Sequence, residues 1–187
     1  MVHGPRLNRI GEAAKIPAMG ASGDHPGSLV LRAAEHRDRA WLLDRLRERW
    51  GASGTVVAAG RRHELRQLPA LLALIDGEPV GVATYLVEGD QCELVTLDAL
   101  AQRRGVGSAL LEAVASLARE SGCQRLWLIT TNDNLDALRF YQRRGLRLVA
   151  VRRDAVAQAR ILKPEIPATG ADGIPIVDEI ELELVLR

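Results

Sequence analysis

Hydrophobic and polar positions follow two different periods along this chain, and the changes of period divide it into predicted helices and strands. Apolar residues recur at helical spacing over residues 35–50, 105–118 and 134–144, and a short helix is predicted over 154–163, where Pro164 stops it. Apolar runs bounded by turn residues predict strands over residues 29–32, 71–75, 79–87, 92–99, 125–131, 146–151 and about 180–186, with a short apolar run at 55–58.

The order of these elements predicts one α/β domain over residues 28–187. Asp76-Gly77-Glu78 and Gly89-Asp90 are tight-turn signals, so the first long strands form an antiparallel meander. A strand–helix–strand crossover follows, which predicts a mixed, mostly antiparallel twisted sheet flanked by helices. Residues 1–27 are rich in Gly, Pro and Ala without a sustained period and are predicted to be a flexible extension.

Composition and charge narrow the classes of function. Lys and Arg number 25 against 24 Asp and Glu, so no basic excess indicates nucleic-acid binding. No apolar run approaches the roughly 20 residues of a membrane span, and the first residues lack the apolar core of a signal peptide. A cytoplasmic location is therefore expected. Cys92 and Cys123 have neither the number nor the spacing of a disulfide scaffold or a zinc site, and no metal is expected.

A glycine-containing segment between a predicted strand and a predicted helix indicates a phosphate site. Gly105 and Gly107 let the backbone approach a ligand closely, and the first amides of the helix have no partners within it. Ser108 and Ala109 fail the Gly-Lys-Ser/Thr ending of a nucleotide-binding P-loop, and Leu110 stands where the dinucleotide fingerprint has a small residue. The segment fits a third pattern, Gln/Arg-x-x-Gly-x-Gly/Ala, through Gln102, Gly105 and Gly107.

A second motif lies one helix and one strand further on. It reads Asn-x-x-Ala-x-x-Phe-Tyr-x-x-x-Gly-Leu and is formed by Asn134, Ala137, Phe140, Tyr141, Gly145 and Leu146. With the glycine segment, this motif resembles the paired signatures of the GNAT superfamily of N-acetyltransferases, with Leu146 in place of the usual Phe. The resemblance covers residues 28 to about 151. The tail from 152 to 187 is similar to a bacterial subgroup without an assigned substrate and carries an insert and a last strand.

The resemblance implies a binding site for acetyl-CoA as co-substrate. In this family, the strand before the phosphate loop pairs its backbone with the pantetheine arm, as an added strand would. The implied cofactor residues are Val95, Thr96 and Leu97 of that strand, Gln102, Arg103, Arg104, Gly105, Val106, Gly107 and Ser108 of the loop and helix start, and Asn134 of the facing helix.

The resemblance also implies a general acid, and the residues leave the general base open. Tyr141 is positioned by its motif to protonate the leaving thiolate. Glu93 is the first candidate base and Asp98 the second, and strict strand alternation predicts them on opposite faces, with Glu93 beside Val95 and Leu97.

Two further residues are candidates for the site. His63 is expected in a loop from which it could reach the acceptor, although a lone loop histidine is more often idle. Trp127 is expected to be a core residue of the central strand.

The expected reaction is direct transfer of an acetyl group to a primary amine in a ternary complex. A small-molecule amine or an amino acid is the first expected acceptor, and a protein N-terminus or lysine is the second. The loop-rich segment from 152 to 175 is expected to line or cover the acceptor side. The alternative is a non-catalytic acyl-CoA sensor that regulates a partner protein. A homodimer is expected only as the commonest oligomer.

Overall fold

The helices and strands follow the predicted order, with one strand that the sequence pattern did not indicate. A computed structural model describes residues 27–100 and 105–186, so all but the last residue of the extension predicted over 1–27 lies outside the described residues, as do Gln102, Arg103 and Arg104. The helices are α1 Arg39–Trp50, α2 Val106–Glu120, α3 Leu135–Gln142 and α4 Ala155–Leu162. The strands are β1 Leu29–Ala33, β2 Thr55–Ala58, β3 Arg61–Glu64, β4 Ala70–Ile75, β5 Glu78–Glu88, β6 Gln91–Ala99, β7 Arg125–Thr131, β8 Arg147–Arg152 and β9 Glu179–Val185.

Seven of the strands form one mixed, mostly antiparallel sheet, which confirms the predicted fold class. Their spatial order is β1-β4-β5-β6-β7-β9-β8, and β6 with β7 is the parallel pair. The last strand, β9, lies between β7 and β8 and pairs with β7 over its whole length. The remaining two strands, β2 and β3, form a separate hairpin. Strand periodicity does not encode this lateral order, because any apolar strand can fill an interior position.

The two faces of the sheet pack against different helices. Alternate residues of a strand point to opposite faces. On β4, Leu71 and Ala73 belong to the main core cluster that α2 covers, whereas Leu72 and Leu74 pack with Trp41 of α1. Each side chain of β6, including the candidate bases Glu93 and Asp98, therefore points either to the α2 face or to the α1 face.

A β-bulge in β6 overturns the predicted alternation of its side chains. Thr84 of β5 pairs with Thr96, but the next residue, Tyr85, pairs with Leu94, so Val95 is the extra residue. The bulge moves Glu93 and Asp98 onto one face, opposite to Leu94 and Leu97, which pack in the α2 cluster. The prediction that Glu93 and Asp98 point to opposite faces was wrong, because the period of two breaks at the bulge.

The segment after β8 supports the β2–β3 hairpin from outside. Lys163, which follows α4, is buried, and its Nζ donates to the carbonyl oxygens of Trp50 at 2.5 Å and Thr55 at 2.7 Å. Burial lowers the pKa of Lys163. In the region that the structure describes, no helix is long and apolar enough to span a membrane.

Candidate active site

An open cleft separates β6 from β7 beyond their first residues. The parallel ladder joins Gln91–Glu93 to Arg125–Trp127 and then stops, although both strands continue. From Leu94 to the end of β6, backbone groups on the β7 side have no strand partner in the described residues. Unpaired strand edges bind extended ligands by adding them as a further strand. Val95, Thr96 and Leu97 all lie on this edge.

The open edge of β6 leads towards the first turn of α2. Gly105 caps this helix in the left-handed conformation, with φ of 76°. Gly107 lies against α3, since a Cβ at this position would stand 3.2 Å from the Phe140 ring. The first amides of a helix carry partial positive charge and lack intrahelical acceptors. A groove lined by strand amides therefore leads towards an anion-binding helix start.

The third helix, α3, places the second motif beside this helix start. Asn134 caps α3 and accepts a hydrogen bond from the Ala137 amide at 3.2 Å, while the residue remains exposed. Tyr141 is buried in the main cluster, 9% exposed, with its ring edge-on to Phe140 at 5.1 Å. Burial raises the pKa of the Tyr141 phenol. Within the described ranges its hydroxyl makes no hydrogen bond to another residue.

Arg144 stands at the start of α2, although neither sequence motif predicted it as a cofactor residue. Its guanidinium stacks on the Phe140 ring, with Cζ 3.6 Å from the centroid, and its Nε and Nη2 donate to Ser108 Oγ at 2.9 and 2.5 Å. No carboxylate of the described residues lies within salt-bridge distance of it. Burial, with a smaller contribution from Arg143, lowers its pKa. Phe140 and Arg144 are spaced one helical turn apart in the sequence, and this spacing was the signal that could have predicted their contact.

Glu93 lies where the two strands separate, and β3 brings two further charged or titratable side chains to it. Glu93 is 3% exposed, and its Oε1 is 3.3 Å from His63 Nε2. Arg61 Nη1 lies 3.9 Å from Glu93 Oε2. Both Glu93 oxygens and His63 Nε2 are buried and lack hydrogen-bond partners among the described residues. Buried unsatisfied polar groups are rare and concentrate at functional sites.

The position of His63 corrects the sequence interpretation. His63 was expected in a loop, but it lies in β3 and is 5% exposed. Three of the four residues of β3 are charged and none is apolar, so no hydrophobic period indicated a strand. The composition of β3 does not favour a strand, and its pairing with the apolar strand β2 holds it in the extended conformation.

A pocket of about 220 Å³ opens beside Glu93. Leu86, Glu93 and Trp127 form its floor, since they are directly opposed neighbours on β5, β6 and β7. Arg61, Glu88 and Gln91 complete its lining. Trp127 is only partly buried and lines this pocket, so its assignment to the core was wrong. The described pocket lining contains no residue of the 152–175 segment.

Asp98, the second candidate base, has a different environment. Its carboxylate accepts a hydrogen bond from Arg45 Nε of α1, and Arg49 Nε lies 3.8 Å from it. The side chain is 9% exposed, so two guanidinium groups neutralise a nearly buried charge. Removing one partner of a buried ion pair leaves an uncompensated charge and destabilises the fold. This pairing therefore indicates a structural role for Asp98.

Comparison with known proteins places this arrangement in a family. The profile of the Acetyltransferase (GNAT) family matches residues 31–146. The uncharacterized protein YdhI of Bacillus subtilis (strain 168) is 42% identical over 147 residues, which are 78% of this chain and 91% of YdhI. The chain therefore belongs to the acetyltransferase (GNAT) family, as its two motifs predicted, and is an acetyltransferase.

Solved structures of the same fold include complexes with the expected cofactor. A Bacillus subtilis acetyltransferase in complex with CoA has a TM-score of 0.63 at 20% identity, covering 86% of this chain and 100% of the other. A GNAT family acetyltransferase from Elizabethkingia anophelis with acetyl-CoA bound has a TM-score of 0.61 at 20% identity, covering 84% and 98%. At this identity the likeness establishes the fold.

Proposed function

We propose that the protein transfers an acetyl group from acetyl-CoA to a primary amine by direct attack in a ternary complex. The observation that carries this proposal is the unpaired edge of β6, which runs from Glu93 towards the start of α2. An extended thioester ligand laid along that edge has strand amides for its arm and helix amides for its phosphates. Its reactive end then lies beside a buried carboxylate of the cleft, Glu93.

The cofactor occupies the groove between β6 and β7. Val95, Thr96 and Leu97 pair with the pantetheine arm, and the exposed amide of Asn134 contacts it from α3. The amides of Arg103 to Ser108, with Gln102 leading into them, hold the pyrophosphate. The bulge at Val95 distorts the β5–β6 ladder next to the point where β6 and β7 separate. Strand amides at that point polarise the thioester carbonyl as an oxyanion hole.

Two side chains move protons during the reaction. Glu93 takes a proton from the acceptor ammonium, directly or through water, and the free amine attacks the thioester carbonyl carbon. Collapse of the tetrahedral intermediate breaks the carbon–sulfur bond, and the nitrogen loses its second proton to form the neutral amide; that proton restores the Tyr141 phenol, directly or through water, after the phenol has protonated the thiolate. Tyr141 donates its phenolic proton to the departing thiolate, because a phenol with a raised pKa remains protonated at neutral pH.

A thermal-shift measurement with acetyl-CoA tests the cofactor site. At a ligand concentration near 100 times Kd, binding adds about 2.7 kcal/mol of stability. For a chain of this size, this corresponds to roughly 5–10 °C in Tm. Gly107→Glu should abolish the shift, because it adds bulk against Phe140 and a negative charge at the phosphate position.

The matched control for that variant is Ser121→Glu, which adds the same charge at the opposite end of α2. It should retain the full shift. If wild-type protein that is empty at the start shows no shift with acetyl-CoA, or if both variants shift equally, the proposed cofactor site is wrong. Release of CoA thiol with a panel of primary amines then tests transfer itself, and binding without any transfer would favour an acyl-CoA sensor.

Arg144→Gln should weaken acetyl-CoA binding by about tenfold or more. Its stacked guanidinium lies at the helix start without a carboxylate partner in the described residues, and a charged hydrogen bond to a phosphate contributes about 1.5–3 kcal/mol. Isothermal titration calorimetry measures the loss, and Arg143→Gln removes the same charge from the neighbouring exposed residue as the control. Equal losses of affinity in the two variants would mean that overall positive charge, and not a contact made by Arg144, strengthens acetyl-CoA binding.

A further inference from the structure

The pocket beside Glu93 contains two carboxylates and one guanidinium. Glu88 and Glu93 come from the β5–β6 hairpin, and Arg61 comes from β3. The deeper carboxylate, Glu93, is almost completely buried and has no hydrogen-bond partner for either oxygen among the residues described. A buried carboxylate of this kind favours a cation that can donate hydrogen bonds to it.

Arg61 lies close to both carboxylates but binds only one of them. Its Nη1 and Nη2 bond the two oxygens of Glu88 at 2.7 and 2.8 Å, whereas Glu93 Oε2 remains 3.9 Å from Nη1. The Arg61 side chain is 44% exposed, so it can move into solvent. A compact ammonium that entered between the carboxylates could bond both of them, which the planar guanidinium does not do here.

The neighbouring guanidinium is already committed. Arg125, which lies over the Trp127 ring at 5.3 Å, donates to Gln91, Glu181 and Glu183. The described residues around the pocket therefore leave no unengaged guanidinium for an acceptor's own carboxylate. The carboxylate of an α-amino acid would approach Glu88 and Glu93 without compensation, and such like-charge contacts discriminate strongly between ligands.

We propose that this pocket takes the ammonium end of an acceptor that has no carboxylate beside its amine, and that Arg61 holds the ammonium position while the pocket is empty. The inference rests on the proposed function and narrows its acceptor from primary amines in general to alkyl or arylalkyl amines. Leu86 and Trp127 supply apolar contact for the carbon chain. A pocket of about 220 Å³ has the volume of roughly seven water molecules, so it holds the amine end of the acceptor.

Three probes of matched shape separate the charges involved. Phenethylamine carries the ammonium alone, phenylalanine adds the carboxylate, and 2-phenylethanol carries no charge. Each is titrated calorimetrically into the CoA-loaded 187-residue protein at pH 7, and thiol release is followed separately with acetyl-CoA. We expect phenethylamine to bind at least tenfold more tightly than phenylalanine, and 2-phenylethanol to bind more weakly than phenethylamine.

The sign of the effect of Arg61→Gln is the sharpest part of the test. If Arg61 holds the ammonium position, its removal tightens phenethylamine binding by about two- to fivefold, the range for one partly exposed ion pair. Arg62→Gln, a neighbouring arginine of β3 that pairs with Glu64 outside the pocket, should change nothing. Glu88→Gln should weaken phenethylamine by a similar factor.

Each remaining outcome decides between the two proposals. Tighter binding of phenylalanine, lost in Arg61→Gln, would overturn the inference, since Arg61 would then recognise a carboxylate; transfer to phenylalanine would leave the proposed function standing. Failure of all three probes to bind the CoA-loaded protein would also overturn the inference. Phenethylamine binding with the expected Arg61 effect but no thiol release would support the pocket and count against the proposed function.

Discussion

Glu93→Gln is expected to lower kcat/KM for amine acetylation at pH 7 by about 10²–10⁴, the usual range for loss of a general base. The substitution keeps the shape of a side chain that is 3% exposed and removes only its ability to take a proton. The deficit should narrow as the pH approaches about 10, where an alkyl amine loses its proton without help. Initial rates of thiol release over pH 6.5–10 measure this.

Stability separates the catalytic role of Glu93 from a structural one. Both Glu93 oxygens are buried without hydrogen bonds among the described residues, so Gln at this position should leave Tm unchanged or raise it. Asp98→Asn is the matched control on the same face of β6: it breaks the pairing with Arg45 and Arg49, and should lower Tm while turnover stays within a few-fold. A pH-independent rate loss in Glu93→Gln, or a large rate loss in Asp98→Asn, would reverse the assignment.

The family and the helix starts at α2 and α3 could be predicted because they depend largely on local sequence. Glycines at 105 and 107 are required by a left-handed helix cap and by contact with Phe140, and a cap residue at 134 is required by the start of α3. The two caps act between residues close in sequence, so a motif records them directly, whereas the contact of Gly107 with Phe140 joins the two motifs. The order strand, helix, strand around them fixed the parallel pair of the sheet.

The pocket beside Glu93 could not be predicted, because it depends on contacts between distant segments. His63 meets Glu93 only because the charged strand β3 pairs with β2 and lies over β6, and no period in β3 indicates this. The bulge at Val95 does leave a trace in the sequence, since apolar residues alternate at Cys92 and Leu94 and again at Leu97 and Ala99, but strict alternation ignores the change of phase between Leu94 and Leu97. One unpaired residue was enough to bring Glu93 to the face of Asp98 and to make strict parity misleading.

Tyr141→Phe is expected to lower kcat by about 10²–10⁴ while acetyl-CoA binding and Tm stay close to wild type. The hydroxyl donates no hydrogen bond within the described part of the chain, so its removal costs little folding energy. What is lost is the proton for the departing thiolate. Because burial raises the phenol's pKa, the wild-type rate should not fall through ionisation of Tyr141 as the pH rises to 10.

The protein offers a matched control in its other tyrosine. Tyr85 is also buried in the main cluster, at 3% exposure, and burial also raises its pKa, but it lies on β5 and outside the second motif. Tyr85→Phe should therefore leave kcat within a few-fold. Substrates whose thiol leaves more readily need less acid assistance, so a thioester of low thiol pKa should partly rescue Tyr141→Phe and have no such effect on Tyr85→Phe. Equal rates for the two variants, or no rescue, would mean that water rather than Tyr141 protonates the thiolate.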